Sequence, residues 1–187
     1  MTRDLHAKEP AHSDLARYLW VSYNKLGDAL GALGRGEEAL ALFQLGLDIA
    51  RDLHAKEPAR SDLARDLSIS YARLGGALRA LGRGEEALAL FQQGLDITRD
   101  LHAKEPARSD LARDLSVSYN QLGDTLRSLG RGEEALALFQ QGLDIARDLH
   151  GQGARAQRSR PRPLHLLRPD RRRPARPRAR RGGPRTL

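Results

Sequence analysis

The sequence predicts an all-α fold, an α-solenoid in which antiparallel helix pairs stack one on the next. The first observation is an internal repeat: the stretch Ser70–Ile97 returns as Ser22–Ile49 and Ser118–Ile145, at a constant spacing of 48 residues. The second is that apolar residues recur every three or four positions, the spacing of one helix face. The third is a Gly-Arg-Gly triplet that divides each copy into two helices. Such repeats indicate stacked supersecondary units.

The first half of each copy is predicted to be an amphipathic helix. Ser61 followed by Asp62 marks its start, because a serine oxygen can accept hydrogen bonds from free backbone N–H groups and an acid suits the positive end of a helix. Gly82 marks its end, since glycine readily adopts the left-handed conformation that follows many helices. The face that this helix would bury consists of Leu63, Leu67, Tyr71, Leu74, Leu78 and Leu81.

The second half is predicted to be a helix of similar length. Glu85 and Glu86 lie at its start, where negative charge interacts favourably with the helix dipole. Pro106 ends it, because the residue before a proline disfavours helical geometry. Each helix of roughly 20 residues is about 30 Å long. The apolar set of this helix consists of Ala87, Leu88, Phe91, Gly94, Leu95, Thr98 and Leu101.

Two glycines lie inside these helices rather than at their ends. Gly75 and Gly94 have equivalents in every copy, although each costs about 1 kcal/mol of helix propensity relative to alanine. Close approach of a neighbouring helix, where a β-carbon would clash, accounts for them. Simple copying of a duplicated segment is the alternative explanation.

A set of coincident positions in each copy resembles a known repeat. Its members in the second copy are Tyr71, Leu74, Gly75, Leu78, Gly82, Ala87, Phe91, Gly94 and Leu95. This pattern resembles the tetratricopeptide repeat, although Arg99 stands where that family has a late proline and the period exceeds the usual length of about 34 residues. The longer period is similar to the branch typified by kinesin light chains. The resemblance implies a right-handed superhelix that binds protein or peptide partners in its concave groove.

The repeat period sets the predicted boundaries. Residues 1–12 match the end of a second helix and are assigned to a preceding repeat. Three repeats then occupy residues 13–60, 61–108 and 109–150, and residues 151–187 form a tail. Three repeats are about the minimum for stability, because each unit buries its apolar faces only against its neighbours.

The tail differs from the repeats in charge and composition. Residues 1–150 carry 19 Lys and Arg against 23 Asp and Glu, whereas residues 151–187 carry 13 Arg and a single acid, Asp170. A segment so rich in arginine, proline and glycine is predicted to be disordered. It has no aromatic side chain to stack on bases, so we expect nucleic-acid binding through it to be non-specific at most.

The tail also has the length of a missing fourth repeat. One extra base ahead of plausible codons for AKEPARSDLARDL gives GQGARAQRSRPRP, which is residues 151–163. We interpret the tail as a fourth repeat read out of frame, through mutation or sequencing error. A missing fourth repeat would leave part of the third repeat's apolar face uncovered, which favours self-association at the C-terminal end. The residues of that face are Leu136, Phe139, Leu143 and Ile145.

The candidate ligand site is a stripe along the first helices. Residues 49–96 and 97–144 differ at seven of 48 positions, and six of these lie on the first helix. By the family resemblance this stripe lines the concave groove; drift on an exposed face is the alternative. We expect its polar members, Asn24, Asp28, Arg79, Asn120, Asp124 and Arg127, to contact the ligand. The whole stripe is Val21, Asn24, Asp28, Ile69, Ala72, Gly76, Arg79, Ala80, Val117, Asn120, Asp124, Arg127 and Ser128.

No feature of the sequence indicates catalysis, a metal or a cofactor. There is no cysteine, and four of the histidines follow the repeat period rather than the spacing of metal ligands. No apolar run approaches the roughly 18 residues of a membrane span. The first residues do not form a signal peptide. We therefore expect a cytoplasmic, non-enzymatic protein.

The favoured function is a scaffold that binds a peptide or helix in its groove. One alternative is a fragment of a larger repeat-containing signalling or regulatory protein with no independent function. Another is nucleic-acid binding through the tail. In the first copy, Tyr18, Leu19 and Trp20 add apolar surface that marks either a contact or a cover for residues 1–9, and we favour the cover.

Overall fold

A computed structural model describes residues 8–158 of the protein, and the side chains of residues 13–152. Within that range the chain forms helices only, each packed against the next along the chain. Three residues join the helices of a pair and four join one pair to the next, so consecutive helices run antiparallel. The predicted all-α solenoid is confirmed. Its helices are α1 (Lys8–Ala32), α2 (Gly36–Lys56), α3 (Ser61–Ala80), α4 (Gly84–Lys104), α5 (Ser109–Ser128) and α6 (Gly132–Arg158).

The turn within each pair forms as predicted. Gly82 has a φ of 78°, in the left-handed region that glycine adopts without steric cost. The backbone N–H of Arg83 donates to the carbonyl of Leu78 at 2.9 Å, which satisfies an acceptor at the end of α3. The same geometry recurs at Gly34 and Gly130.

The start of each first helix differs from the prediction. Ser61 is the first residue of α3 and Arg60 precedes it, without a side-chain hydrogen bond to the free N–H groups. Instead the guanidinium of Arg60 bridges Asp62, at 2.7 and 3.0 Å, and Glu57, at 3.3 Å. The prediction of a serine cap was wrong, because the start of α3 is held by Arg60. Its guanidinium links Glu57 in the connection between repeats to Asp62 in the first turn of the helix.

Arg108 makes the same bridge to Asp110 and Glu105 in the next repeat, and its effect can be measured as the pKa of the Asp110 carboxyl. The hydrogen bond from Arg108 lowers the pKa of the half-buried Asp110 carboxyl to about 2, from the ordinary value of 3.8. Because the folded-state pKa is depressed, the bridge contributes stability above about pH 4 and is lost as the pH falls through about 2. In an NMR titration we expect Arg108→Gln to raise this pKa towards 3.8, whereas Arg113→Gln leaves it unchanged. An unchanged pKa in Arg108→Gln would contradict the bridge.

The core follows the predicted apolar faces. Tyr71, Leu74, Leu78 and Phe91 are all buried, each less than 10% exposed. The buried clusters join helices of adjacent pairs rather than one pair alone, as when Leu95 of α4 packs with Leu115 of α5. Each repeat is therefore stabilised by its neighbours.

A phenylalanine ring of the second helix packs directly against the glycine inside each first helix. A β-carbon built on Gly27 would lie 2.7 Å from Cε1 of Phe43, and the equivalent distance at Gly123 is also 2.7 Å, to Phe139. Close helix approach, rather than mere copying, explains these positions.

This contact predicts opposite effects for two glycines of α1. We expect Gly27→Ala to lower the free energy of unfolding by about 1–3 kcal/mol, because the new methyl overpacks the ring of Phe43. Gly31→Ala should raise it by about 0.5–1 kcal/mol, since a β-carbon there meets nothing within 4 Å and only helix propensity changes. Denaturant titration followed by circular dichroism measures both. A stabilising Gly27→Ala would refute the close-approach explanation.

Both outer boundaries of the array differ from the prediction. Residues 8–12 belong to α1 rather than to the end of a preceding helix, and Pro10 lies in the first turn, where its missing N–H is tolerated. At the other end α6 continues to Arg158, eight residues into the predicted disordered tail. Ala154 stands where the earlier copies have the proline that ends the helix. The rest of the tail lies outside the described residues.

The extra apolar residues of the first repeat divide between two environments. Trp20 is buried between the first and second repeats, in one cluster with Phe43 and Leu67. Tyr18 and Leu19 are exposed. Trp20 therefore does not serve as a cover for residues 1–9, because its indole lies at the junction with the second repeat, and residues 1–7 themselves lie outside the described residues.

Candidate functional site

The first helices of the pairs line one side of the stack. Helices α1 and α3, and likewise α3 and α5, bring Cα atoms within 8 Å of one another, whereas the pairs α2 with α4 and α4 with α6 do not. In a curved stack, the helices that approach one another most closely lie on the inside. The row α1, α3, α5 is therefore the concave side, and it carries the predicted stripe.

A cavity of about 360 Å³ opens between α3 and α5 on this side. Ile69, Ala72 and Val117, three members of the predicted stripe, supply its apolar wall. The other residues that line the cavity are not part of the predicted stripe. They are Ser68, Arg73, Thr98, Asp114, Ser118 and Gln121.

The sequence did contain a signal for part of this missed set. Arg73 and Thr98 occupy positions at which residues 49–96 differ from residues 97–144, as Ile69 and Ala72 do. Position 73 lies one helix position to the side of the stripe. The spacing of Thr98 is that of the buried face of α4, which predicts a core position for it.

Hydroxyl groups also line the cavity. The Thr98 hydroxyl donates to the carbonyl of Gly94 at 2.7 Å. The Ser118 hydroxyl donates to the carbonyl of Asp114 at 3.0 Å. The two hydroxyl oxygens are 3.4 Å apart. Since the proton of Ser118 is directed to a backbone carbonyl, its oxygen keeps lone pairs that can accept a hydrogen bond from a ligand.

The equivalent space at the first junction is filled by the protein itself. Trp20 occupies the position of Ser68, and its indole N–H donates to the hydroxyl of Ser70 at 2.7 Å. Ser70 is the equivalent of Ser118 and likewise donates to a backbone carbonyl, that of Asp66, at 2.9 Å. The cavity between α3 and α5 thus exists because serine replaces tryptophan in the second repeat.

Other stripe residues are engaged within the protein. Asn24 is buried and its amide donates to the carbonyl of Trp20 at 3.0 Å. The expectation that Asn24 contacts a ligand was therefore wrong, because its side chain is buried beside Gly46 of α2. Asp28 is exposed and forms an ion pair with Arg73. The guanidinium of Arg79 lies 5.7 Å from the centre of the Phe91 ring.

The remaining stripe residues are accessible. Arg127 pairs with Asp124 at 2.9 Å, yet its side chain is 70% exposed. Asn120 and Ala80 are exposed, and Gly76 and Val21 are half-buried. Ser128 is exposed and donates to the carbonyl of Thr125 at 2.7 Å. The structure thus brings Ile69, Ala72 and Val117 together at one cavity and spreads the other residues along the groove.

The opposite side of the stack has its own depressions. One of about 590 Å³ lies between α4 and α6 over Leu122 and Leu126 of α5. Its repeat equivalent, of about 350 Å³, lies between α2 and α4 over Leu74 and Leu78. They arise because the backbones of the second helices lie further apart than those of the first helices.

Two classes of site receive no support from the described part of the chain. Among residues 8–158, no helix is long and apolar enough to cross a membrane. The side chains described there include no group of three His, Asp or Glu residues placed to bind a metal ion.

The sequence matches the tetratricopeptide repeat family in three segments, residues 21–57, 67–105 and 115–155. The chain belongs to this family. The tetratricopeptide repeats found here coincide with the three helix pairs of the structure, with boundaries shifted along the 48-residue period. A tetratricopeptide repeat array is an interaction scaffold, so protein partners are expected of it.

A solved structure shares the fold, and a second is similar over a comparable length. The TPR domain of Arabidopsis FLU aligns over 71% of this chain and 98% of its own, with 19% identity and a TM-score of 0.56. A thermophilic TPR protein of Thermus thermophilus aligns over 74% of this chain and 98% of its own, with 22% identity and a TM-score of 0.33. A comparison with curated proteins gives no significant match.

Proposed function

We propose that the protein is a non-enzymatic scaffold that binds an extended peptide or a helix in the groove lined by α1, α3 and α5. The observation that carries this proposal is the cavity between α3 and α5. It combines an apolar wall with a few convergent polar groups, the usual composition of a recognition site. Ile69, Ala72 and Val117 provide the wall, and Ser118 and Gln121 provide the polar groups.

The first junction suggests which side chain the cavity accepts. There Trp20 donates its indole N–H to Ser70, whose equivalent at the second junction is Ser118. An indole or similar aromatic side chain of the partner would bury its ring against Val117 and donate to the oxygen of Ser118. Aromatic anchors of this kind dominate the energetics of many interfaces.

The test uses indole itself as the probe. We expect indole to shift the NMR signals of the Ile69, Ala72 and Val117 methyl groups, and 1-methylindole, which lacks the N–H donor, to bind more weakly. Ser118→Ala should weaken indole binding about threefold to tenfold and leave 1-methylindole unaffected, because only the acceptor is removed.

A filled-cavity variant provides the second test. Ser68→Trp copies the residue of the first repeat, and its indole should occupy the cavity and abolish indole binding. Gln93→Trp adds the same side chain at an exposed position of α4, outside both the stripe and the cavity, and should leave binding intact. Undiminished binding by Ser68→Trp would overturn the aromatic anchor.

Groove binding is tested separately with a displayed library of random peptides. We expect selected peptides to be enriched in aromatic residues and to lose affinity for Val117→Glu. Selection of peptides that bind Val117→Glu as well as the wild type would contradict the groove proposal. Peptides that depend on Val117 but carry no aromatic residue would contradict the anchor alone.

A further inference from the structure

We infer that the outer face of α6, which carries Gly132 and Leu143, binds the exposed face of α1 of a second copy, so that chains stack head to tail. That face of α1 carries Leu15, Leu19 and Leu26, together with Leu33 just beyond the helix. Each face is one half of the junction that the array already contains twice, between α2 and α3 and between α4 and α5. A second copy would repeat that junction between molecules. This inference is independent of groove binding.

The outer face of α6 has nearly the same sequence as the equivalent faces of α2 and α4, and the following repeat covers each of those two faces. Leu143 is 44% exposed, whereas its equivalents Leu47 and Leu95 are each 1% exposed. A β-carbon built on Gly84 would lie 2.8 Å from Leu129 of the following repeat, but one on the equivalent Gly132 meets nothing within 4 Å. The face therefore retains both the leucine and the glycine recess of a repeat junction.

The exposed face of α1 has the complementary residues. Leu15 is 66% exposed, while its equivalents Leu63 and Leu111 are almost completely buried against the preceding repeat. Leu33, the equivalent of the Leu129 that fills the recess at Gly84, is also exposed. The further exposed leucines of this face are Leu19 and Leu26. A helix that faced only solvent would not need these leucines.

Ion pairs between successive first helices also point to a further copy, because an arginine of each first helix pairs with an aspartate of the next one. Arg17 donates to Asp62 at 3.1 Å, and Arg65 pairs with the equivalent Asp110 at 3.4 Å. The next arginine in the series is Arg113, and the next aspartate is Asp14 of a second copy. Among the described side chains neither Arg113 nor Asp14 has an ion pair, so head-to-tail docking would supply both with a partner.

The sequence of the tail does not offer an equivalent face for α6. In the repeat register, residues 163, 170 and 177 correspond to Leu67, Leu74 and Leu81 of the second repeat. These positions hold Pro163, Asp170 and Pro177, which lack the apolar contacts of leucine, and proline also interrupts helices. A second copy presents leucine at the equivalent positions, so it is the better occupant.

The geometry also predicts the form of the assembly. The two faces are different surfaces, so the contact is heterologous and leaves one free face at each end of every complex. Mass should therefore increase progressively with concentration rather than stop at a dimer.

The test is sedimentation velocity on the full chain from low to high micromolar concentration. The wild type should form a concentration-dependent series of oligomers. Leu143→Asp and Leu15→Asp should each be monomeric, because a charge at either face is buried without a partner. Leu45→Asp changes an exposed leucine outside both faces and should behave as the wild type.

Mixing the two monomeric variants separates docking from misfolding. Leu143→Asp keeps an intact α1 face and Leu15→Asp keeps an intact α6 face, so an equimolar mixture should form dimers and nothing larger. Dimers in the mixture also show that both variants are folded. The inference is overturned if the wild type stays monomeric, as it would if its own tail covered α6, or if the mixture contains no dimer.

Discussion

Leu95→Ala is expected to lower the free energy of unfolding by about 2–5 kcal/mol, whereas Leu143→Ala lowers it by less than about 1 kcal/mol. Leu95 is 1% exposed and packs against Leu115 and Tyr119 of the next repeat. Its removal leaves a cavity at a junction whose two helices cannot move together without disturbing the neighbouring pairs. Leu143 occupies the same place in α6 and is 44% exposed.

The comparison is well matched because the local sequence is the same. Both leucines lie within the heptapeptide FQQGLDI, so the change in helix propensity and in the unfolded chain is equal for the two variants. Denaturant unfolding followed by circular dichroism, at a concentration low enough to exclude association, measures both. Equal losses would show that Leu95 is not stabilised by the following repeat and would contradict the stacked core.

Trp20→Ser should lower the free energy of unfolding by about 3–5 kcal/mol, although serine is the residue that both other copies carry at this position. The indole is buried between α1, α2 and α3, and its N–H donates to Ser70. Serine would open at the first junction the space that is already open at the second. It would also leave the surrounding residues Phe43, Leu47 and Leu67 without their contacts.

Two controls separate the parts of this effect. Trp20→Phe keeps most of the apolar volume and loses the hydrogen bond, so it should cost about 1 kcal/mol from that bond together with a smaller packing loss. Tyr18→Ser changes an exposed neighbour and should alter stability by less than about 0.5 kcal/mol. Trp20→Ser with near wild-type stability would show that the junction tolerates the copied residue.

The prediction of the repeat architecture succeeded because helix periodicity and turn glycines act locally. The Leu63 to Leu81 face and the Gly82 turn follow from side-chain spacing and backbone sterics, which need no knowledge of the neighbouring repeat. The Ser61 cap failed for the opposite reason. Arg60 reaches Glu57 and Asp62 through a bend in the connection, and that bend cannot be read from propensity.

The candidate site was predicted only in part. Variation between near-identical copies identified Ile69, Ala72 and Val117, which line one cavity. The same reasoning placed Asn24 on the ligand surface, because position 24 belongs to the same stripe as Ala72 and Asn120. Asn24 is buried beside Gly46 of α2, and its amide donates to the backbone carbonyl of Trp20.

The sequence by itself determined the helix pairs, their number in the described chain and the apolar face of each helix, because these depend on spacing within about 20 residues. Only the tertiary structure decided which of two equivalent residues in different repeats is buried and which is exposed. Leu95 is core and Leu143 is surface, and Trp20 fills a space that Ser68 leaves open. The physical reason is that burial in a stacked array depends on which repeat lies next to a residue, and no segment of the sequence encodes its own neighbour.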